Sequence, residues 1–138
     1  MTVSPILLDT CAAIWATRPD GLSPGARAAI AEAEQAGAAV YVSPITAWEL
    51  GMLVARGRIA LLESPLTWFT GLVEAGVQLT DLSPEIMVEA SFLPQSRLRD
   101  PADRVIAATA RALGCRILTR DRPLLEYAAA GHVKAIAC

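Results

Sequence analysis

The sequence predicts an α/β fold in which helices flank a central, mostly parallel sheet. Short apolar runs without polar alternation recur along the chain and are typical of strands that are buried on both faces. Helical segments separate these runs, as parallel strands require, because each connection must cross back over the sheet. Hydrophobic residues make up 54% of the 138 residues. A chain of this length and composition can bury one core, so we expect a single domain over residues 1–138.

The predicted strands are the runs that are richest in branched apolar side chains. The first, residues 6–8, ends at Asp9, and the second, residues 40–42, ends at Ser43. Later runs of the same kind are bounded by polar or glycine residues, as strand ends usually are. The expected strands are 6–8, 40–42, 77–79, 116–119 and 133–136.

Serine–proline or aspartate–proline pairs begin most of the predicted helices. The serine or aspartate accepts hydrogen bonds from free backbone N–H groups, and proline fits the first helical position. Glycine ends several of these helices because it adopts the left-handed backbone of a helix end at little cost. The expected helices are 12–15, 24–37, 44–56, 65–75, 84–94, 101–113 and 123–130.

Cysteine and histidine usage excludes several classes of function. Cys11, Cys115 and Cys138 are an odd set without Cys-x-x-Cys spacing, and His132 is the only histidine. This pattern argues against a disulfide framework and against a zinc site. A single histidine in a predicted loop also argues against Ser-His-Asp or Cys-His hydrolysis.

No segment predicts membrane insertion or export. A transmembrane helix needs about 18 consecutive apolar residues, whereas the longest uncharged run, residues 35–48, is shorter and contains Pro44. Residues 1–5 carry no basic side chain, so no secretory leader is expected. The expectation is a cytoplasmic protein.

The charge balance favours specific recognition of phosphate or carboxylate groups over diffuse attraction. The net charge is −2, and eleven of the twelve basic residues are arginine. The planar guanidinium group suits two-point contacts with such anions. If phosphate binds near the carboxyl ends of the strands, the candidate contacts are Arg56, Arg58, Arg97, Arg99, Arg104, Arg120 and Arg122.

Two aspartates follow predicted strands, where sites occur in open α/β sheets. Asp9 follows the first strand directly, and Asp121 stands shortly after Thr119, the end of another strand. Each aspartate also stands where a helix N-cap is wanted. When each aspartate is considered alone, helix capping is the favoured interpretation.

Two further carboxylates lie on faces where a charge is costly. Glu49 is inside the 44–56 helix, with Ile45 and Met52 on the same face. Burial of an unpaired charge is expensive, so an ion pair with an arginine and a functional role are equally favoured for Glu49.

Asp103 begins the predicted inward stripe of its helix, which continues through Ile106, Ala110 and Leu113. Arg104 and Arg111 fall on the opposite, outward face. Asp100 precedes Pro101, where an N-cap is needed, so capping is the better interpretation of Asp100.

Convergence of these four carboxylates would require a cation. At about 5 Å and an effective dielectric constant near 20, each pair would repel by roughly 3 kcal/mol. Oxygen ligands suit Mg²⁺ or Mn²⁺, which bind through a few carboxylates together with substrate phosphate. Such an ion can activate and orient a water molecule without histidine. The sequence therefore predicts a metal-assisted phosphodiester site.

Four segments in order along nearly the whole chain resemble the PIN-domain ribonucleases, in particular the VapC-type toxins of toxin–antitoxin pairs. These segments are Ile6-Leu7-Leu8-Asp9-Thr10 with Trp15, Ser43-Pro44-Ile45-Thr46-Ala47-Trp48-Glu49-Leu50, Arg99-Asp100-Pro101-Ala102-Asp103-Arg104, and Ile117-Leu118-Thr119-Arg120-Asp121. The resemblance implies a three-layer PIN-like fold and a divalent-metal-dependent endoribonuclease.

The resemblance also implies the residues and partners of that activity. It assigns catalysis and binding of Mg²⁺ or Mn²⁺ to Asp9, Glu49, Asp103 and Asp121, with Thr10, Asp100 and Thr119 as accessory residues. It implies an RNA substrate, an antitoxin protein that covers the site, and a homodimer.

Two alternatives belong to other classes. A phosphoaspartyl phosphatase or receiver-like domain would use Asp9 as nucleophile or phosphoacceptor, but the second aspartate expected two residues later in such phosphatases is absent. A non-catalytic interaction module would use all these acids as caps and ion pairs. Metal binding separates that module from the nuclease.

Overall fold

The computed structural model describes residues 2–138 and contains five strands and seven helices. The elements in order are β1 (Ile6–Leu8), α1 (Thr10–Ala16), α2 (Pro24–Gln35), β2 (Val40–Val42), α3 (Pro44–Ala55), α4 (Pro65–Glu74), β3 (Gln78–Leu79), α5 (Pro84–Ser91), α6 (Pro101–Leu113), β4 (Arg116–Thr119), α7 (Arg122–Ala129) and β5 (Lys134–Ala137).

The strands form one sheet in the order β3-β2-β1-β4-β5, and every neighbouring pair is parallel. The fold class predicted from the sequence is confirmed. The chain passes from β1 towards β2 on one side of the sheet, and β4 pairs with β1 on the other side. The carboxyl ends of β1 and β4 therefore lie together where the strand order reverses, the usual site position in such sheets.

Helices cover both faces of the sheet, which gives three layers. Alternate side chains of β1 point to opposite faces, as the pleat requires. Leu7 packs with Ile117 and with apolar residues of α5, α6 and α7. Ile6 and Leu8 pack on the other face with residues of α1, α2 and α4. Both faces of β1 are buried, which explains its unalternated sequence.

The predicted caps begin the helices. Ser23, Ser43, Ser64 and Ser83 each accept a backbone N–H of the helix that follows. Asp100 accepts two, from Ala102 N at 2.8 Å and Asp103 N at 3.3 Å. At the other end of α6, Gly114 has φ 68°, a left-handed conformation that glycine adopts without strain.

The structure differs from the expectation at several helix and strand ends. Helix α5 ends at Ser91 instead of near residue 94, and β3 contains only two residues. Leu113 does not continue the inward stripe, since it is the last residue of α6 and 43% exposed. Periodicity identifies a buried face but does not locate the turn at which the neighbouring layer ends.

Arg104 corrects a second expectation, that it faces outward as a candidate phosphate contact. Its side chain is half-buried and donates hydrogen bonds to the carbonyl oxygens of Leu98 at 2.6 Å, Ala90 at 2.7 Å and Ser91 at 3.2 Å. These bonds join α6 to the end of α5 and to the loop before Asp100. Arg104 is a structural residue.

Candidate active site

Asp9 lies at the carboxyl end of β1 and is 4% exposed. One carboxylate oxygen accepts the Ala12 N–H at 2.7 Å, which caps α1. The other accepts the hydroxyl of Thr119 at 2.5 Å, from the end of β4. Asp9 is therefore both a helix cap and a link between the two central strands, so the capping interpretation and the site interpretation are compatible.

Asp121 reaches the same region from β4. The Thr119 hydroxyl oxygen accepts the Asp121 N–H at 2.9 Å while its proton goes to Asp9. The Asp121 carboxylate accepts the Leu124 N–H at 3.2 Å and caps α7. Thr119 is fully buried, and it fixes the spacing of these two aspartates.

Glu49 enters from α3 and contacts the start of α1. The hydroxyl of Thr10 donates to the Glu49 carboxylate, and the Thr10 oxygen lies 3.1 Å from that of Thr46. Because the single proton of Thr10 goes to Glu49, the proton between the threonines belongs to Thr46. The resulting chain runs from Thr46 through Thr10 to Glu49 and fixes the carboxylate in one orientation.

Thr46 is the site residue that sequence reasoning missed. It is fully buried and lies three residues before Glu49, on the same face of α3. The spacing of Thr46 and Glu49 along α3 could have predicted this role, because a polar residue three positions before Glu49 lies on the same inward face. What the spacing could not give is its partner Thr10, which comes from another element.

Asp103 and Asp100 approach the cluster from the start of α6. Asp103 is half-buried, and the Asp121 carboxyl group is near enough to act on the pKa of Asp103. Asp100 is exposed and caps the helix, yet its charge also acts on Glu49 and Asp103. We name Asp9, Glu49, Asp103 and Asp121 the acidic cluster; Asp100 lies at its margin.

The pKa values of three of the four carboxyl groups are raised. Burial raises the pKa of Asp9, against the opposing hydrogen bonds from Thr119 and Ala12. Burial also raises the pKa of Glu49, partly offset by Thr10. Burial and then the charge of Asp121 raise the pKa of Asp103 to about 8. At neutral pH and without a cation, Asp103 is therefore predominantly protonated.

The donor set fits a hard divalent cation. Within residues 2–138, the only salt bridge joins Arg27 to Asp20, so no basic side chain pairs with the acidic cluster. Across the same residues, no three Asp, Glu, His or Cys side chains are close enough to make a ready-formed metal site. The four carboxylates repel one another, and helix caps and threonine hydroxyls hold them in place. Without a cation, they are therefore not expected to converge to coordination distance.

Arg120, a candidate phosphate contact, is mostly engaged elsewhere. Its guanidinium donates to the carbonyl of Cys138 at 2.7 Å and to that of Gly21, and it lies over the ring of Trp15. These contacts draw its charge towards the edge of the acidic cluster. The Arg120 charge acts on Asp9, whose pKa it lowers against the effect of burial, but Arg120 forms no salt bridge with the cluster.

Comparison with known proteins agrees with this arrangement. The family model described as PIN domain matches residues 6–130. Ribonuclease VapC22 of Mycobacterium tuberculosis (strain ATCC 25618 / H37Rv) is 37% identical over 126 residues, which are 91% of this chain and 93% of that protein.

Solved structures share the fold. VapBC2 from Rickettsia felis, bound to a DNA fragment from their promoter, gives a TM-score of 0.69 at 14% identity, with 96% of this chain and 98% of that chain covered. FitAcB from Neisseria gonorrhoeae gives a TM-score of 0.53 at 25% identity, with 95% and 96% covered. No helix within residues 2–138 has the length and apolarity needed to cross a membrane. The family identified from four short segments is confirmed, and the chain belongs to the PIN domain family.

Proposed function

We propose that this chain is a divalent-metal-dependent endoribonuclease, the toxin of a toxin–antitoxin pair, folded as a single domain and acting in the cytoplasm. The observation that carries the proposal is the acidic cluster, whose four carboxylates come from four separate segments and have no basic partner within residues 2–138. The 37% identity to Ribonuclease VapC22 supports the substrate class. Family membership favours this function over a phosphoaspartyl phosphatase or a non-catalytic module.

The four carboxylates would hold Mg²⁺ or Mn²⁺, with Thr10, Thr119 and Asp100 as accessory residues. When bound, such a cation activates water and neutralises charge that develops on the phosphodiester. The chain supplies positioning: Thr119 orients Asp9, and Thr10 orients Glu49. Asp103 would have to lose its proton to hold a cation, so metal affinity would rise with pH.

The proposed partners are RNA, an antitoxin protein and a second copy of the chain. The solved structures of similar fold include VapBC from Salmonella typhimurium bound to DNA and VapBC-1 from nontypeable Haemophilus influenzae. Large apolar side chains are exposed on α3, α4 and α5, on the loop before α4 and directly after α5, among them Trp48 (52%), Leu66 (72%) and Phe92 (77%). Exposed apolar surface of this kind favours protein partners.

Cleavage of single-stranded RNA by the purified protein tests the activity. We expect cleavage with Mg²⁺ or Mn²⁺, none after chelation with excess EDTA, and recovery when the metal is restored. Denaturing gel electrophoresis of an end-labelled RNA gives internal cuts for an endonuclease and a mononucleotide ladder for an exonuclease. Undiminished cleavage in EDTA would refute metal dependence, and no cleavage with either metal would refute the ribonuclease proposal.

A further inference from the structure

Trp15, near the end of α1, carries two guanidinium groups on one indole ring. The central carbon of Arg18 lies 4.9 Å from the ring centroid, and that of Arg120 lies 4.4 Å from it. Arginine over an indole is a favourable cation–π contact. Two such contacts on one ring, however, also bring two positive charges together.

This arrangement is fixed by the backbone around it. Arg120 is held by its hydrogen bonds to the carbonyls of Gly21 and Cys138. The loop that carries Arg18 is closed by main-chain bonds from Arg18 N to Trp15 O and from Gly21 N to Arg18 O, each 3.1 Å long. Gly21 packs so tightly that a Cβ there would lie 2.1 Å from the Trp15 carbonyl oxygen. The loop is therefore rigidly placed against the indole.

Within residues 2–138, no salt bridge joins either guanidinium group to a side-chain carboxylate, although the charge of Arg120 acts on Asp9. Asp20, the acid nearest to Arg18 in sequence, pairs with Arg27 at 3.3 Å. This is the only salt bridge within residues 2–138. Arginine side chains carry several donors in one plane, and Arg120 uses only part of its set on the two carbonyls. A phosphate group is the anion that such paired, partly free guanidinium groups recognise best.

The two arginines on Trp15 lie near the acidic cluster. Arg120 lies between Thr119 and Asp121 in the chain. Trp15 lies on α1 nearly two turns, roughly 9 Å, after Asp9, which is the N-cap of that helix. A polyanion that reaches the acidic cluster is repelled by it. A positive group at about this distance, which is comparable with the Debye length of ~8–10 Å at physiological salt, partly offsets that repulsion.

We propose that Arg18, placed by Trp15 and Arg120, binds a backbone phosphate of the RNA next to the bond that is cleaved. This inference rests on the proposed ribonuclease function and adds a substrate-binding residue to it. Arg18 is exposed, so its replacement leaves the core and the acidic cluster intact. The effect falls on RNA affinity and not on folding.

Fluorescence anisotropy with a labelled, mixed-sequence single-stranded RNA tests the assignment, in Mg²⁺ and in a Glu49→Gln background that prevents cleavage. Arg18→Ala is expected to raise Kd about tenfold, near the lower end of the effect of one hydrogen bond to a charged group. The slope of log K against log salt is expected to fall in magnitude by about 0.7, the value for one phosphate contact to a single strand. The melting temperature stays unchanged.

Lys134→Ala is the matched control. It removes one exposed positive charge at the amino end of β5, whereas Arg120 contacts Cys138 beyond the carboxyl end of that strand. It is expected to leave Kd unchanged. The assignment is overturned if Arg18→Ala binds RNA as the background does, if Lys134→Ala weakens binding equally, or if the background binds no RNA.

Cleavage by the wild-type protein separates this inference from the function on which it rests. If RNA binding depends on Arg18 but the wild type cuts no RNA, the phosphate contact stands and the ribonuclease proposal falls. If the wild type cuts RNA and Arg18→Ala leaves KM unchanged, the ribonuclease stands and the phosphate contact falls.

Discussion

Glu49→Gln is expected to lower RNA cleavage by about 10²–10³-fold, the effect of removing one essential electrostatic group from an active site. Glutamine keeps the size and helix propensity of glutamate and accepts the Thr10 hydroxyl as glutamate does. It lacks the charge that a divalent ion requires. Initial rates at saturating Mg²⁺ measure the loss.

Folding of this variant is expected to be preserved or improved. Burial raises the pKa of Glu49, so the charged form is disfavoured in the free protein and the neutral amide relieves that strain. Glu89→Gln, an exposed change of the same chemistry on α5, is the control and should leave cleavage unchanged. Full activity in Glu49→Gln, or an equal loss in Glu89→Gln, would remove Glu49 from the site.

Asp103→Asn is expected to abolish cleavage and at the same time to stabilise the metal-free protein at alkaline pH. The folded pKa of Asp103 is raised from 3.8 to about 8. The stability that the protonated Asp103 carboxyl contributes is complete below its unfolded pKa of 3.8. It is lost progressively as the pH rises from there through the folded pKa of about 8. Melting curves of the metal-free proteins at pH near 6 and near 9 measure this difference.

The sign of the effect distinguishes Asp103 from a structural acid. Asparagine imitates the protonated carboxyl, whereas Asp103 of the unfolded chain is already ionised above its unfolded pKa of 3.8. The variant should therefore melt higher than wild type near pH 6, and by a larger margin near pH 9. Added Mg²⁺ should raise the melting temperature of the wild type more than that of the variant. A variant that melts lower at both pH values would mean that Asp103 stabilises the fold in its charged form.

Asp100 provides the comparison within the same turn of α6. Asp100→Ala should lower stability by about 1 kcal/mol, because two backbone N–H groups lose their acceptor. Asp100→Asn caps equally well and should restore that stability. Both variants should retain measurable cleavage. If Asp100→Asn is stable and inactive while Asp103→Asn is active, the roles of the two aspartates are reversed.

Local signals in the sequence predicted most of the fold. The unalternated run at residues 6–8 gave a central strand, and the pairs of serine or aspartate with proline gave the helix starts. These features depend on a few adjacent residues, whose preferences agree with the final structure. Element ends were less accurate, as at α5, because neighbouring layers decide where a helix stops.

Contacts between residues that are distant in the chain could not be predicted from the sequence. Arg104 has the periodicity of an outward residue, yet three carbonyls of α5 and the following loop bind it. Thr46 has its hydroxyl partner Thr10 on another helix, 36 residues away in the chain. Partners of this kind depend on how two layers pack, and no spacing along one helix encodes them.

We propose that the carboxylates of Asp9, Glu49, Asp103 and Asp121 hold divalent metal at one common site. Crystals soaked in Mn²⁺ test it directly through anomalous difference density. We expect a peak bonded to oxygens of the acidic cluster in the wild type, and its loss in Asp103→Asn. Density bonded to other residues, or a fully loaded crystal with no peak at the cluster, would contradict it.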